Sequence, residues 1–282
     1  MIKYRMIREG AERSLPELEF HEAMPASDGE LALAHHPEYV MRVSRGELSP
    51  AEQREIGFPW TPEMVERSRR SSGATIAACR AAFAEGIAVN LAGGTHHAYA
   101  DRGAGFCVFN DSAVAARLMQ AERRASRVAI VDLDVHQGNG TASILARDDS
   151  IFTLSLHGEN NYPFEKERSD LDVALPDGAG DADYLAALAP ALDRLQSEFA
   201  PQLLIYLAGA DPHEGDRLGK MKLSMQGLAA RDQAVFSFAR QHKIPVAVTM
   251  AGGYGREIEQ TVAVHLQTIK LANLHARGWN DG

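Results

Sequence analysis

Short apolar runs alternate with longer amphipathic segments along most of the chain. Short apolar runs are typical of strands buried on both faces, whereas apolar residues at helical spacing indicate helices with one buried side. We predict strands at 87–91, 128–134, 151–156, 203–207 and 245–250. We predict helices at 62–86, 111–124, 183–199, 224–242 and 257–276, the third of which Pro190 could kink. Strands that alternate with helices favour a mostly parallel sheet covered on both faces.

No linker, repeat or low-complexity stretch divides the 282 residues. We therefore predict one three-layer α/β/α domain over residues 1–282. The first part of the chain carries the weakest pattern, in which 34–40 favours a short helix. We interpret His35 and His36 there as surface residues, because they stand beside Pro37 in a polar stretch.

Glycine together with His, Asp or Tyr follows each predicted strand. Glycine lets the backbone turn sharply and approach a ligand closely. In open parallel sheets, ligands bind outside the carboxyl ends of the strands, which all lie at one edge. The sequence therefore predicts that these strand ends build one shared site. They lie at 92–97, 132–140, 157–158, 208–211 and 251–255.

The stretch RVAIVDLDVHQGNG carries three polar side chains at alternate positions, Asp132, Asp134 and His136. If the strand continues through them, all three point to the same side. For this set we favour a metal or catalytic site over a helix cap or a surface ion pair. Asp134, His136 and Asp211 make a plausible ligand set of two carboxylates and one imidazole. Such donors suit Zn²⁺, and also Fe²⁺, Co²⁺ or Mn²⁺, and three protein ligands leave a position for water.

Three further side chains are candidates for proton transfer and charge stabilisation. His96 and His97 follow a predicted strand and two glycines, so one can act as general base and acid and the other as its electrostatic partner. Tyr254 follows Gly252 and Gly253 and could donate its phenol proton to a developing oxyanion. A surface histidine pair and a packed loop tyrosine are the alternatives. The glycines at 138–140 and 103–107 fit neither a dinucleotide fingerprint nor a phosphate loop.

Composition narrows the class of protein. The formal net charge is −9, which argues against a nucleic-acid partner. Cys79 and Cys107 are the two cysteines, which favours a reduced, cytoplasmic chain without a disulfide framework. The first residues lack the apolar core of a signal peptide, and no run is long enough to span a membrane.

Five motifs together resemble the histone deacetylase family, which has the arginase-deacetylase fold. They occur in the family's order, at 93–97, 105–111, 132–140, 208–211 and 252–254. The stretches 57–60 and 214–219 look most like the class IV branch and its bacterial relatives. The joint pattern is far more specific than any single motif.

The resemblance implies a role for each matching residue. Asp134, His136 and Asp211 would hold Zn²⁺. His97 would be the general base and then the general acid, and His96, paired with Asp132, would tune the electrostatics. Tyr254 would polarise the amide carbonyl and stabilise the tetrahedral oxyanion.

The resemblance also implies an acyl-lysine channel. Phe106 and Tyr162 would form its walls, and the carbonyl of Gly105 would help to seat the substrate. A structural K⁺ would lie near Asp132, Asp134, His136, Ser155 and Leu156, held largely by backbone oxygens.

Two departures from the family pattern stand out. Asn139 occupies a position where some branches carry an aspartate that orients the second histidine. Relatives also begin with a strand and an arginine-containing loop before the segment that matches residues 1–5. We therefore expect the family's first strand, and an arginine lining the inner product channel, to be missing.

These features predict a zinc-dependent deacylase that hydrolyses N-acyl-lysine side chains of a peptide or protein. An amidohydrolase of acetylpolyamines or other small amides is the main alternative. A non-catalytic acyl-lysine binding module is a second. A binuclear manganese enzyme like arginase is less favoured, because it would need further metal-binding Asp and His residues. The sequence leaves acyl length and oligomeric state open.

Overall fold

The computed structural model of this protein describes residues 2–279. Its strands are β1 Ile87–Asn90, β2 Val128–Asp132, β3 Ile151–Gly158, β4 Leu171–Leu175, β5 Leu203–Leu207 and β6 Val246–Thr249. Its helices are α1 Ile2–Ser14, α2 Asp28–Leu31, α3 Pro37–Arg45, α4 Pro50–Ile56, α5 Pro62–Glu85, α6 Asp111–Ala121, α7 Asn139–Leu145, α8 Asp181–Glu198, α9 Met225–His242 and α10 Ile258–Ala276.

The strands form one sheet in the order β1-β6-β5-β2-β3-β4, and every neighbouring pair is parallel. All residues of β2, β3 and β5 are buried, as expected for strands covered on both faces. Helices α1, α8, α9 and α10 contribute to the apolar core on one face, and α2 to α6 contribute to the core on the other. The predicted α/β fold with a parallel central sheet is confirmed.

The elements differ from the prediction mainly after β2 and in segments whose pattern is weak. β2 ends at Asp132, so Asp134 and His136 lie in the loop that follows and not on the strand. One strand, β4, and four helices, α1, α2, α4 and α7, were not predicted. α8 runs through Pro190 without a break. The α5 helix begins and ends as predicted, with the Thr61 hydroxyl accepting from the Met64 N–H and Gly86 as the C-cap.

The prediction of a surface histidine pair was wrong for His35 and right for His36. The His35 side chain is buried, whereas His36 is exposed next to the start of α3. His35 Nδ1–H donates to the carbonyl of Tyr99 at 2.9 Å, and Nε2 accepts from the Asn110 N–H at 2.8 Å. Burial is tolerated because both ring nitrogens have partners from a loop distant in sequence.

His35 predicts an acid-sensitive contribution to stability. Burial lowers its pKa from 6.5 to about 4. As pH falls below 6.5, His35 becomes protonated in the unfolded chain but stays neutral in the folded chain. The free energy of unfolding therefore decreases between pH 6.5 and 4. Linkage gives a loss of about 2 kcal/mol at pH 5. The free energy of unfolding is measured in urea at pH 7.5 and at pH 5. Its decrease between these two pH values should be about 2 kcal/mol smaller for His35→Gln than for the wild type.

His36→Gln is the matched control and should show the wild-type dependence on pH. An equal decrease of the free energy of unfolding in the wild type and in His35→Gln would show that His35 does not cause the acid sensitivity.

Candidate active site

The candidate site lies at the carboxyl edge of the sheet, where the loops after β1, β2, β5 and β6 meet. Backbone hydrogen bonds extend the strand pairing into these loops. Leu133 N–H donates to Leu207 O at 3.1 Å, and Ala210 N–H donates to Gly252 O at 3.0 Å. Because the strands are parallel, the polar residues after each strand reach the same place. The predicted convergence is therefore observed for four of the five strand ends, whereas the fifth, at 157–158, lies on β3 itself.

Asp134, His136 and Asp211 form a compact cluster of possible metal ligands. One ligand atom from each lies within 4.8 Å of the other two. His136 Nδ1 lies 3.0 Å from Asp134 Oδ1 and 3.3 Å from Asp211 Oδ2. Gly252 leaves room for them, because a Cβ there would collide with both carboxylates. It is the one cluster of three or more such side chains among residues 2–279.

The chemistry of this donor set fits a divalent cation. Asp211 Oδ2 is buried and accepts no well-formed hydrogen bond, although Nδ1 of His136 lies 3.3 Å away. Burial and the neighbouring Asp134 charge raise the pKa of Asp211 to about 6, although His136 opposes the rise. Burial would lower the pKa of His136, yet its contacts with both carboxylates raise it to about 10. A cation bound by these three side chains would take the place of the protons that these pKa values describe.

His96 forms a buried ion pair with Asp132. Its Nδ1–H donates to Asp132 Oδ2 at 2.6 Å, and both side chains are 4% exposed. Burial would lower the pKa of His96, but the carboxylates of Asp132 and Asp134 raise it to about 9. The two carboxylates therefore favour the protonated form of His96 next to the metal-ligand cluster.

The surroundings of His97 instead favour its neutral form. Its Nδ1–H donates to Asn139 Oδ1 at 2.7 Å, and Asn139 Nδ2 in turn donates to the Tyr99 hydroxyl at 2.8 Å. Because Asn139 Oδ1 faces Nδ1 of His97, the ring carries its proton on Nδ1 and leaves Nε2 as an acceptor. Burial and the nearby charges of His96 and His136 keep the pKa of His97 well below its usual value. A neutral imidazole of this kind can accept a proton.

The loop that presents both histidines is fixed by a buried carboxylate. Gly93 and Gly94 have φ values of +78° and +74°, which favour glycine. Asp111 accepts hydrogen bonds from the N–H groups of Gly94 and Thr95 at 2.9 and 2.8 Å. The backbone therefore turns tightly before His96, so that both rings reach the site from consecutive positions.

Aromatic side chains line the approach to the cluster. Phe106, Tyr162 and Tyr254 are each partly exposed. The Tyr162 ring lies 4.9 Å from the ring of His97, and the Phe106 ring lies 5.7 Å from that of Tyr254. Gly105 lies against His97, where a Cβ would clash with the imidazole, and its carbonyl accepts from the Cys107 thiol at 3.4 Å. The structure thus brings these predicted site residues to one place.

A histone deacetylase domain model matches residues 2–269 of this chain. The chain belongs to the histone deacetylase family. An uncharacterized protein of Picosynechococcus sp. is 46% identical over 235 residues, which cover 83% of this chain and 78% of that protein. Histone deacetylase 2 of Arabidopsis thaliana is 37% identical over 209 residues, which cover 73% of this chain. The alignment spans 54% of the Arabidopsis protein, so the matched part is about half of that relative.

Solved structures of the histone deacetylase family share the fold. The crystal structure of a histone deacetylase homologue from Aquifex aeolicus superposes with a TM-score of 0.81 and 26% identity. The superposition covers 96% of this chain and 77% of that one. The resemblance inferred from the motifs is therefore confirmed at the level of the family and of the fold. The roles of single residues, including the potassium site, stay predictions.

Two residues that support the candidate site were not predicted. Asp216 accepts the Tyr254 N–H at 2.6 Å and the N–H groups of Leu218 and Gly219, so it ties the Tyr254 loop to the loop after Asp211. Lys3 Nζ lies 3.4 Å from the Gly253 carbonyl and is largely buried. Asp216 lies within a motif seen in the sequence, whereas nothing near Lys3 signals its position.

Proposed function

We propose that this chain is a metal-dependent hydrolase that cleaves N-acyl-lysine side chains to lysine and a carboxylic acid. The observation that carries the proposal is the ligand cluster of Asp134, His136 and Asp211 beside a neutral imidazole, His97. The ring centroids of His97 and His136 are 5.9 Å apart. Amide hydrolysis requires a group that polarises the carbonyl, a general base and an oxyanion donor. A cation held by the cluster, His97 and Tyr254 would take these three roles.

We propose Zn²⁺ as the ion that the cluster holds, because two carboxylates and an imidazole are among its common ligands. When bound, such an ion supplies a Lewis acid for the carbonyl and lowers the pKa of a coordinated water. Fe²⁺ or another divalent ion suits the same donors. The one such cluster within residues 2–279 supports one ion and not a binuclear manganese centre.

The chain's own residues supply the proton transfers. His97 Nε2 takes the proton of the attacking water and returns it to the leaving lysine amine. Asn139 holds the imidazole in the tautomer that leaves Nε2 free, and the cationic His96 adds positive potential where negative charge develops. Phe106 and Tyr162 would flank the aliphatic part of the lysine side chain. Tyr254 donates its phenol proton to the oxyanion formed at the carbonyl carbon.

The Tyr254 hydroxyl provides a sharp test of the oxyanion role. Tyr254→Phe should lower kcat on an acetyl-lysine peptide about 10²- to 10³-fold, the usual cost of losing one oxyanion donor. Its melting temperature and bound metal should match those of the wild type, because the hydroxyl is neither a ligand in the proposed site nor part of the core. Unchanged kcat would remove Tyr254 from the mechanism.

The substrate class is tested with a panel of lysine peptides that carry acyl groups of increasing length, alongside acetylputrescine. We expect peptide turnover, detected as free lysine and carboxylic acid by mass spectrometry, to be lost with a chelator and restored by Zn²⁺. Faster turnover of acetylputrescine would support the small-amide alternative. Tight peptide binding without product would support a binding module and contradict the proposal.

Two finer assignments belong to the same proposal. We assign the chain to the class IV branch because the segments 57–60 and 214–219 resemble that branch. We place it in the cytoplasm because Cys79 and Cys107 are both free and buried, as suits a reducing compartment. No helix within residues 2–279 has the length and apolarity to cross a membrane.

A further inference from the structure

An ion pair is buried in the apolar face of α9. Arg231 and Asp232 are 0% and 1% exposed, and Leu228 and Val235 flank them in the core. Removing two charges from water is costly, so a buried pair is weak evidence for a contribution to stability. The contacts of the guanidinium group therefore indicate what else the pair does.

The guanidinium group joins two loops of the proposed metal site. Its Nη1 donates to the carbonyl of Gly209 at 2.6 Å and lies 3.4 Å from the carbonyl of Leu133. Leu133 precedes Asp134 directly, and Gly209 is two residues before Asp211. Because β2 and β5 are neighbours in the sheet, one side chain spans the ends of both strands.

Asp232 holds the guanidinium group in place. Its Oδ1 accepts from Arg231 Nε at 2.9 Å and from the Tyr206 hydroxyl, which lies on β5. Its Oδ2 accepts from the Thr268 hydroxyl on α10 at 2.6 Å. The planar guanidinium presents donors in fixed directions, so it can contact the carboxylate and the loop carbonyls at the same time. A lysine ammonium cannot reproduce this geometry.

We propose that Arg231 is a positioning residue that sets the separation of the Asp134 and Asp211 loops and thereby the affinity for the divalent cation. It contacts no ligand atom and acts through the backbone at Leu133 and Gly209. The inference rests on the metal site of the proposed function. It predicts an effect on cation binding in the absence of any substrate.

The test uses the full chain, stripped of metal, and measures Zn²⁺ affinity by competition with a chromogenic chelator. Arg231→Lys keeps the buried charge but loses the planar guanidinium group, and Arg231→Met removes the charge. Both should bind Zn²⁺ about ten- to hundred-fold more weakly than the wild type, as is usual when support of metal ligands is lost. The visible absorption of bound Co²⁺ should also change, because the ligand geometry changes.

Val235→Ala is the matched control, since Val235 lies four residues further on the same buried face of α9. This variant should melt at a lower temperature and bind Zn²⁺ as the wild type does. Wild-type affinity and Co²⁺ absorption in Arg231→Lys would overturn the inference, and so would an equal loss of affinity in Val235→Ala.

Two further outcomes are decided by the same measurements. If Arg231→Met does not fold, Arg231→Lys alone decides the matter. Wild-type binding is measured first. If the wild type binds no cation, both the metal site and the inference are refuted. If the wild type binds the cation and the Arg231 variants bind it equally well, only the inference is refuted.

Discussion

Asp211→Ala is expected to abolish retention of the divalent cation and to reduce hydrolysis of acyl-lysine to the uncatalysed background. Asp211 supplies one of three donors, and its Oδ2 lies 3.3 Å from Nδ1 of His136, the imidazole of the same cluster. Two remaining ligands are fewer than catalytic zinc sites use. The measurements are metal content by mass spectrometry and turnover of an acetyl-lysine peptide.

The variant should stay folded, because little of the fold depends on this carboxylate. Asp211 Oδ1 accepts the Val135 N–H at 3.0 Å, and Asp211→Asn keeps an oxygen for this bond while removing the charge. We expect Asp211→Asn to melt like the metal-free wild type and to lose most of its bound cation. Asp193→Asn, on the exposed side of α8, should behave as the wild type in both measurements. Full metal content in Asp211→Ala would contradict the assignment of this ligand.

His97→Gln is expected to lower kcat about 10²- to 10⁴-fold, the range for losing a general acid–base group. Gln has no group that accepts and returns a proton near neutral pH. The loss should appear in kcat and in kcat/KM, because the imidazole acts on the reacting atoms and not on substrate binding. Steady-state kinetics with an acetyl-lysine peptide measure both constants.

The chain offers a matched control in its other histidine pair. His36 is exposed, and His36→Gln should have wild-type kinetics. Metal content should be unchanged in His97→Gln, since His97 is not one of the three proposed ligands. A rate within a few-fold of the wild type would assign the proton transfers to another residue.

The sequence predicts the site better than it predicts the segments around it. Buried parallel strands such as β2 and β5 are continuous apolar runs in the sequence. The polar residues that follow such runs are therefore easy to recognise as candidate site residues. β4 gives a weaker signal, because it lies at the edge of the sheet and alternate residues are exposed. α7 begins at Asn139-Gly140 right after Gly138, where local preferences argue against a helix.

Residues held by distant partners are the part that could not be predicted. His35 is buried because Tyr99 and Asn110 satisfy its ring, and nothing near it in the sequence shows these partners. Arg231 and Asp232 did leave a signal, because they fall on the apolar stripe of their helix. That signal indicates burial, but only the fold shows which carbonyls the guanidinium meets.

Asn139 has a consequence for the balance between the two halves of the proposed reaction. An amide oxygen stabilises a protonated imidazole less than a carboxylate would. Protonated His97 is therefore a stronger acid beside Asn139 than it would be beside an aspartate. Deprotonating water becomes harder, while delivering a proton to a strongly basic alkylamine becomes easier. An amide neighbour at this position therefore favours collapse of the tetrahedral species over its formation, and expulsion of lysine should not limit the rate.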